Sequence, residues 1–190
     1  MSFKHQLPTI LTLSRVVGAP FLLIPFLKDS DPIWWFTTLT FIALSLTDYF
    51  DGMLARKYNV VSNFGKYFDP AGDKVLVLFS LVLLMHFKGL SPFILMILLT
   101  RDVLIGSIRS FAASMGLVLQ ARSLGKLKTV LQMVGLPILM APEILPLPMA
   151  FNQYRLGNVI VWGACLISVI SLADYALVLY RSLKAVDKTA

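Results

Sequence analysis

The chain has 190 residues, 57% of them hydrophobic and 14% charged, a formal net charge of +7, and a mean hydropathy of +0.79. A soluble domain carries about a quarter charged residues, so the composition argues against a soluble globular protein and leaves no stretch for a separate soluble domain. The positive balance fits cytoplasmic loops and anionic lipid better than nucleic acid.

About 20 apolar residues cross a bilayer as a helix, and residues 1–190 read as a single all-α membrane domain with six such segments. The first runs from about Pro8 to Leu27 and opens with an amphipathic turn, Leu7 to Arg15, expected to lie along the interface. The second, Ile33 to about Arg56, opens with Trp34 and Trp35 as an aromatic belt does. The third, about Gly65 to Phe87, becomes wholly apolar after Lys74. A turn with helix-start signals, Lys88 to Pro92, leads into the fourth, Pro92 to about Met115, which carries Arg101, Asp102 and Arg109. The fifth runs from Gly125 to about Leu145, ahead of a turn holding Pro142, Pro146 and Pro148. The sixth, about Leu156 to Leu183, ends in a basic tail. The single cysteine, Cys165, lies inside an apolar run and reads as packing. No removable signal peptide and no internal repeat are expected.

Six spans place both termini on one side. With the hairpin between the second and third segments on that side, the opposite side holds only Lys28, Lys88 and Arg155 of the seventeen Lys and Arg. The positive-inside rule makes the hairpin side cytoplasmic.

That hairpin is the most informative stretch. Asp48 and Asp51 are spaced i, i+3, and Asp69 and Asp73 i, i+4, so each pair shares one helix face. Two such faces set against each other bring four carboxylates to one point, where they stay ionised only with cations between them. Hard oxygen ligands select Mg²⁺, Mn²⁺ or Ca²⁺, and a pair of divalent ions suits phosphoryl transfer. Solvated or helix-capping aspartates are the plainer reading, but these border apolar runs, where an ionisable group is costly. Gly52 lacks a side chain, which leaves the helix backbone open to close approach; close helix packing explains such a residue equally well.

A second set of charges lies downstream. Arg101 and Arg109 are two turns apart on one face of the fourth segment, and guanidinium groups match phosphate oxygens. Lys126 and Lys128 open the fifth segment, where a helix N-terminus favours anions. The alternatives are an Arg101–Asp102 ion pair that only ties helices together, and lysines that only anchor the topology.

The spacing Asp-x2-Asp-Gly-x2-Ala-Arg-x8-Gly-x3-Asp-x3-Asp over residues 48–73 resembles the signature of the CDP-alcohol phosphatidyltransferase family at all eight fixed positions. Flanking features resemble the bacterial phosphatidylglycerophosphate synthase branch: Leu7-Pro8-x-x-Leu11-Thr12-x-x-Arg15, Arg101-Asp102, Gly125-Lys126-x-Lys128-Thr129-x-x-Gln132-Met133 and Ser171-x-x-Asp174-Tyr175. Two positions depart: Thr9 stands where that branch often has Asn, and Asp102 where it commonly has Glu. They leave the acceptor open to another alcohol such as inositol phosphate or phosphatidylglycerol. An ion transporter with midplane carboxylates is the rival from another class, and the lack of a repeat speaks against it.

The resemblance implies transfer of the phosphatidyl group of CDP-diacylglycerol to the 1-hydroxyl of sn-glycerol 3-phosphate, with release of CMP. By motif position it makes Asp48, Asp51, Asp69 and Asp73 ligands of two divalent cations, Mg²⁺ or Mn²⁺, and Asp73 also the general base. It assigns Gly52, Arg56 and Ser62 to the cytidine diphosphate. Arg101, Arg109, Lys126 and Lys128 are the candidates for the acceptor phosphate, with Arg15 and Arg122 as further ones. It further implies a homodimer in the bacterial inner membrane, with the site open to the cytoplasm.

Overall fold

In the computed structural model, residues 17–26, 34–57, 63–117, 119, 123–142 and 152–187 are described, with side chains for 17–24, 34–47, 74–117, 119, 123–142 and 152–184. Every regular element among them is helical: a 3-10 helix, Ala19–Phe26, and the α-helices α1 (Trp34–Lys57), α2 (Asn63–Lys88), α3 (Pro92–Ser114), α4 (Ser123–Met140) and α5 (Gln153–Asp187).

The expected first segment departs most. Its described part is mainly the eight-residue 3-10 helix, preceded by a helical turn at Val17 and Gly18. Pro20 and Pro25 each lack the N–H an α-helix needs, and a proline ring clashes with the carbonyl four residues back, so the tighter i, i+3 pattern takes over. The turn at Leu7 to Arg15 lies outside the described residues.

The other five elements match the expected segments to within a few residues, and their ends have local causes. Pro92 occupies the first turn of α3, where its missing N–H costs nothing. α3 stops where Gly116 adopts φ 74°, its N–H donating to Ala113 (3.0 Å) and that of Leu117 to Ala112 (2.9 Å). This is the paired hydrogen-bond stop that a left-handed residue permits. α4 ends at Met140 rather than near Leu145, because the residue before Pro142 is disfavoured in the helical region. α5 begins three residues earlier than expected: the Asn152 Oδ1 accepts from the N–H of Tyr154 at 2.9 Å and caps the helix.

α4 and α5 form the closest pair, and α3 packs on α5 as well. α1 and α2 lie against the 3-10 helix and α4, with α2 also reaching α3. Two glycines set the α4–α5 distance. A Cβ on Gly135 would sit 2.8 Å from Val161 Cγ2, and one on Gly157 2.7 Å from Leu139 Cγ and 3.1 Å from the Leu139 backbone nitrogen. Phe41, Leu76, Leu84, Ile94, Leu136, Leu139 and Val161 fill the interior. Far from the expected metal cluster, Lys88 Nζ donates to the carbonyls of Leu139 (2.8 Å), Met140 (3.4 Å) and Ala141 (3.2 Å) and lies 4.5 Å above the Trp34 ring. A cation thus closes the negative end of α4.

By length and hydropathy, one helix among the described residues meets the criterion for a membrane span, Gln153–Lys184, 32 residues long with an 18-residue stretch of mean hydropathy 2.0; Trp34–Thr47 is a shorter apolar helix. The expected all-α bundle is present, but of the six membrane-spanning helices expected, one meets this criterion among the described residues. The remaining helices carry charge within them, Lys74 in α2, Arg101, Asp102 and Arg109 in α3, Lys126 and Lys128 in α4. The outer surface is nonetheless strongly apolar, with Phe93, Met96, Val159 and Leu166 all exposed.

Candidate active site

A cavity of about 320 Å³ opens between α2, α3, α4 and α5. Five cationic side chains line it: Lys74 from α2, Arg101 and Arg109 from α3, Lys126 and Lys128 from α4. The two-turn separation of the arginines puts both on the face of α3 that looks into the cavity, and the first turns of α4 bring the lysines to the same end of the bundle. Among the described residues, one carboxylate, Asp102, shares the wall, so five positive charges face one negative there.

The inner part of the cluster is tightly bonded. Arg101 Nη1 donates to Asp102 Oδ1 at 2.8 Å, and Arg101 Nη2 to the Oγ of Ser171 on α5 at 2.8 Å. Lys128 Nζ donates to both oxygens of Asp102, at 2.9 and 2.8 Å. These side chains are nearly enclosed: 11% of Arg101, 17% of Asp102 and 5% of Lys128 remain exposed. Among the described residues, Arg101 Nε is buried without a hydrogen-bond partner. α4 accommodates the guanidinium because position 125 is glycine: a Cβ there would lie 3.3 Å from Arg101 Nη2.

The outer part is open. Lys126 and Arg109 are exposed, and the Arg109 guanidinium stands 5.7 Å from the centre of the buried Tyr175 ring, within reach of a cation–π attraction. Below the charges the cavity is apolar, walled by Leu78, Leu81, Leu95, Leu98 and Leu99. A compact anion with several oxygens finds donors from three helices here, in surroundings of low polarity where charge-assisted bonds are strong.

The structure brings together all four residues expected to take an acceptor phosphate, Arg101, Arg109, Lys126 and Lys128. It also contains the Arg101–Asp102 ion pair that was the alternative reading, so the pair and the cavity coexist. The carboxylate motif is described at the backbone: Asp48, Asp51, Gly52 and Arg56 lie on α1, Asp69 and Asp73 on α2, at helical spacing. Their side chains, and Ser62, Arg15 and Arg122 altogether, lie outside the described residues. Among the described residues no three of His, Cys, Asp and Glu gather round a common point. Lys74 was not anticipated; its signal was its place directly after Asp73. Ser171 and Tyr175 entered only through the resemblance, although their i, i+4 spacing on the last helix already set them on one face.

The model of the CDP-alcohol phosphatidyltransferase family matches residues 5–170. The chain belongs to that family. A Rickettsia bellii relative, the CDP-diacylglycerol–glycerol-3-phosphate 3-phosphatidyltransferase, is 32% identical over 179 residues, covering 92% of this chain and 96% of its own length. The Bacillus subtilis protein of that name is 30% identical over 182 residues, 90% of this chain and 93% of its own. An Arabidopsis thaliana relative, CDP-diacylglycerol–glycerol-3-phosphate 3-phosphatidyltransferase 1, chloroplastic/mitochondrial, is 41% identical over 152 residues, 71% of this chain and 50% of its own. In this CDP-alcohol phosphatidyltransferase the cation cavity and the motif are neighbours in the chain, since Lys74 on the cavity wall follows the last motif aspartate, Asp73.

Proposed function

We propose that this protein transfers the phosphatidyl group of CDP-diacylglycerol to sn-glycerol 3-phosphate, forming phosphatidylglycerophosphate and CMP. One observation carries the choice of acceptor: the cavity, whose described lining holds five cations and one carboxylate and includes Lys74, the residue after Asp73. An uncharged alcohol would gain nothing from that surplus, whereas a phosphate dianion is offered several charge-assisted bonds. The printed names of the relatives support the same reaction.

In this reading Arg109 and Lys126 meet the acceptor phosphate at the open end, and Arg101 and Lys128 fix it from below. Held by its phosphate, the acceptor presents its 1-hydroxyl toward the start of α2. Asp73 takes the hydroxyl proton as that oxygen bonds to the phosphatidyl phosphorus and the pyrophosphate bond to CMP breaks. Gly52, Arg56 and Ser62 hold the cytidine diphosphate. Asp48 and Asp51 on α1 with Asp69 and Asp73 on α2 form an all-oxygen donor set at helical spacing, which fits two hard divalent cations, Mg²⁺ or Mn²⁺. Such cations, when bound, neutralise pyrophosphate charge and stabilise the leaving group.

The protein works as an integral membrane enzyme of six membrane helices, as a homodimer in the bacterial inner membrane, with its cation cavity toward the cytoplasm. The apolar outer surface and the bias of Lys and Arg toward the motif side support this placement. The lipid tails of the donor stay in the bilayer.

An acceptor panel tests the reaction: purified protein, CDP-diacylglycerol, and CMP release with each candidate alcohol. Glycerol 3-phosphate should be used far better than glycerol, serine, inositol phosphate or phosphatidylglycerol. Equal use of glycerol would detach the cavity from acceptor choice.

A further inference from the structure

We propose that Asp102 is the positioning residue of the acceptor pocket: through Lys128 and Arg101 it fixes two cations in the geometry that receives the acceptor's phosphate. The inference rests on the reading of the cavity as the acceptor site and assigns a role to the one anion among its described lining residues, whose charge by itself opposes binding of a second anion.

Three observations point the same way. Both Asp102 oxygens are engaged by Lys128 Nζ, at 2.9 and 2.8 Å, and Oδ1 also receives Arg101 Nη1 at 2.8 Å. Arg101 is fixed a second time, by Ser171 at 2.8 Å, and lies close against α4, where a Cβ at position 125 would come within 3.3 Å of Nη2. Finally, Arg101 and Lys128 are nearly enclosed, and both line the cavity. An ammonium enclosed to that degree requires a partner to stay charged and in place. A lysine held to one carboxylate has lost its rotamer freedom before the ligand arrives, so that cost is not charged to binding. The outer cations Lys126 and Arg109 lack this bracing from Asp102 and supply attraction instead.

The position of the carboxylate also explains why its charge does not repel the acceptor. It sits between the two cations it orients, and the remaining three, Lys74, Arg109 and Lys126, keep the pocket positive. With Asn at 102, an amide N–H₂ would face Lys128, donor against donor, and the enclosed ammonium would have to swing away or lose its proton. The pocket would then lose a cation together with the anion.

The experiment uses the full-length protein in detergent and measures KM for each substrate separately. The wild type must first release CMP with glycerol 3-phosphate; failure there would end the acceptor reading itself. Given that activity, Asp102→Asn should raise the KM for glycerol 3-phosphate about ten-fold or more, the value of one charge-assisted bond, with little change for CDP-diacylglycerol. Asp102→Glu, which keeps the carboxylate, should restore most of the affinity. Ser171→Ala, a milder change, should raise the same KM about three- to ten-fold. In a Lys128→Met background the Asp102→Asn change should harm acceptor binding less than it does alone, because one of the two cations it positions is gone and Arg101 remains.

A second readout is independent of turnover. Inorganic phosphate should raise the melting temperature of the wild type and of Asp102→Glu, and should do so much less for Asp102→Asn. A merely structural ion pair would lower the melting temperature of Asp102→Asn without phosphate but leave the phosphate shift and the ratio of the two KM values intact. That result, or an unchanged acceptor KM in both Asp102→Asn and Ser171→Ala, would overturn the proposal while leaving the reaction in place. Should Asp102→Asn fail to fold, Ser171→Ala and Asp102→Glu decide it by the same two measurements.

Discussion

Arg109 and Lys126 hold a different position from Arg101 and Lys128, and their loss should look different. The inner pair is bonded to Asp102, so removing either member leaves a nearly enclosed carboxylate with one of its two cations and disturbs folding as well as binding. The outer pair is exposed, so Arg109→Ala and Lys126→Ala should leave the melting temperature nearly unchanged. Each should raise the KM for glycerol 3-phosphate by about ten- to a hundredfold, corresponding to the roughly 1.5–3 kcal/mol of a hydrogen bond to a charged group. The KM for CDP-diacylglycerol should move far less. Kinetics with each substrate varied in turn checks this, and an equal rise in both values would make the cations a topology anchor. At this scale the sequence exposed the cations, because a charge inside an apolar run stands out. It hid their partners. Nothing in the one-dimensional string says that Ser171 would accept from Arg101, seventy residues earlier, or that Gly125 is small because a guanidinium lies beside it.

Among the elements, α4 joins the packed core to the cavity. Its first turns carry Lys126 and Lys128; its last turns carry Leu136, Leu139 and Met140, all fully buried, and end on Lys88. Gly157 on α5 determines how near this half of α4 can come. Gly157→Ala would place a methyl 3.1 Å from the Leu139 backbone nitrogen, which cannot rotate away as a side chain can. Overpacking of this kind costs about 1–3 kcal/mol, so the variant should melt at a clearly lower temperature. Gly163→Ala, six residues further along α5, is the matched control: its nearest contact is Leu131 Cδ1 at 4.0 Å. It should be neutral or stabilising by up to about 1 kcal/mol from helix propensity. Thermal unfolding of the two variants side by side decides whether α4–α5 contact is set by Gly157. The helices themselves were legible from apolar run length and turn residues. The 3-10 helix was not foreseen, although its cause, prolines five residues apart, was in plain view. Reading hydropathy first gave that stretch a regular α-helix, and proline chemistry made most of its described part a 3-10 helix.

The whole molecule is polarised along its helices. One end gathers the cation cavity and, on the backbone of α1 and α2, the four aspartates; the other ends on Lys88 capping α4. The proposed two-cation reading makes activity conditional on divalent cations, since four carboxylates brought together would otherwise repel one another. EDTA should abolish CMP release and Mg²⁺ or Mn²⁺ should restore it. Full turnover in metal-free buffer would exclude the two-cation reading. The order of elements and the motif's placement on two successive helices were readable in the sequence because both depend on local periodicity. The packing of α2, α3, α4 and α5 around the cavity, which brings its walls from separate stretches, depends on contacts that periodicity does not encode.

The leucine floor has a consequence for inhibition. Leu78, Leu81, Leu95, Leu98 and Leu99 line the same space as the cations, so the site is amphiphilic on the scale of a single small molecule. Glycerol 3-phosphate, polar at both ends, leaves that hydrocarbon wall uncovered. An alkylphosphonate, charged head among the cations and chain against the leucines, would cover it. Each methylene that leaves water contributes about 0.8 kcal/mol, or roughly a fourfold gain in affinity, until the floor is filled. Inhibition constants for methyl-, ethyl-, propyl- and butylphosphonate, measured against glycerol 3-phosphate, should therefore fall stepwise and then level off. A flat series would mean that the leucines face the cavity without being open to a ligand held by the cations.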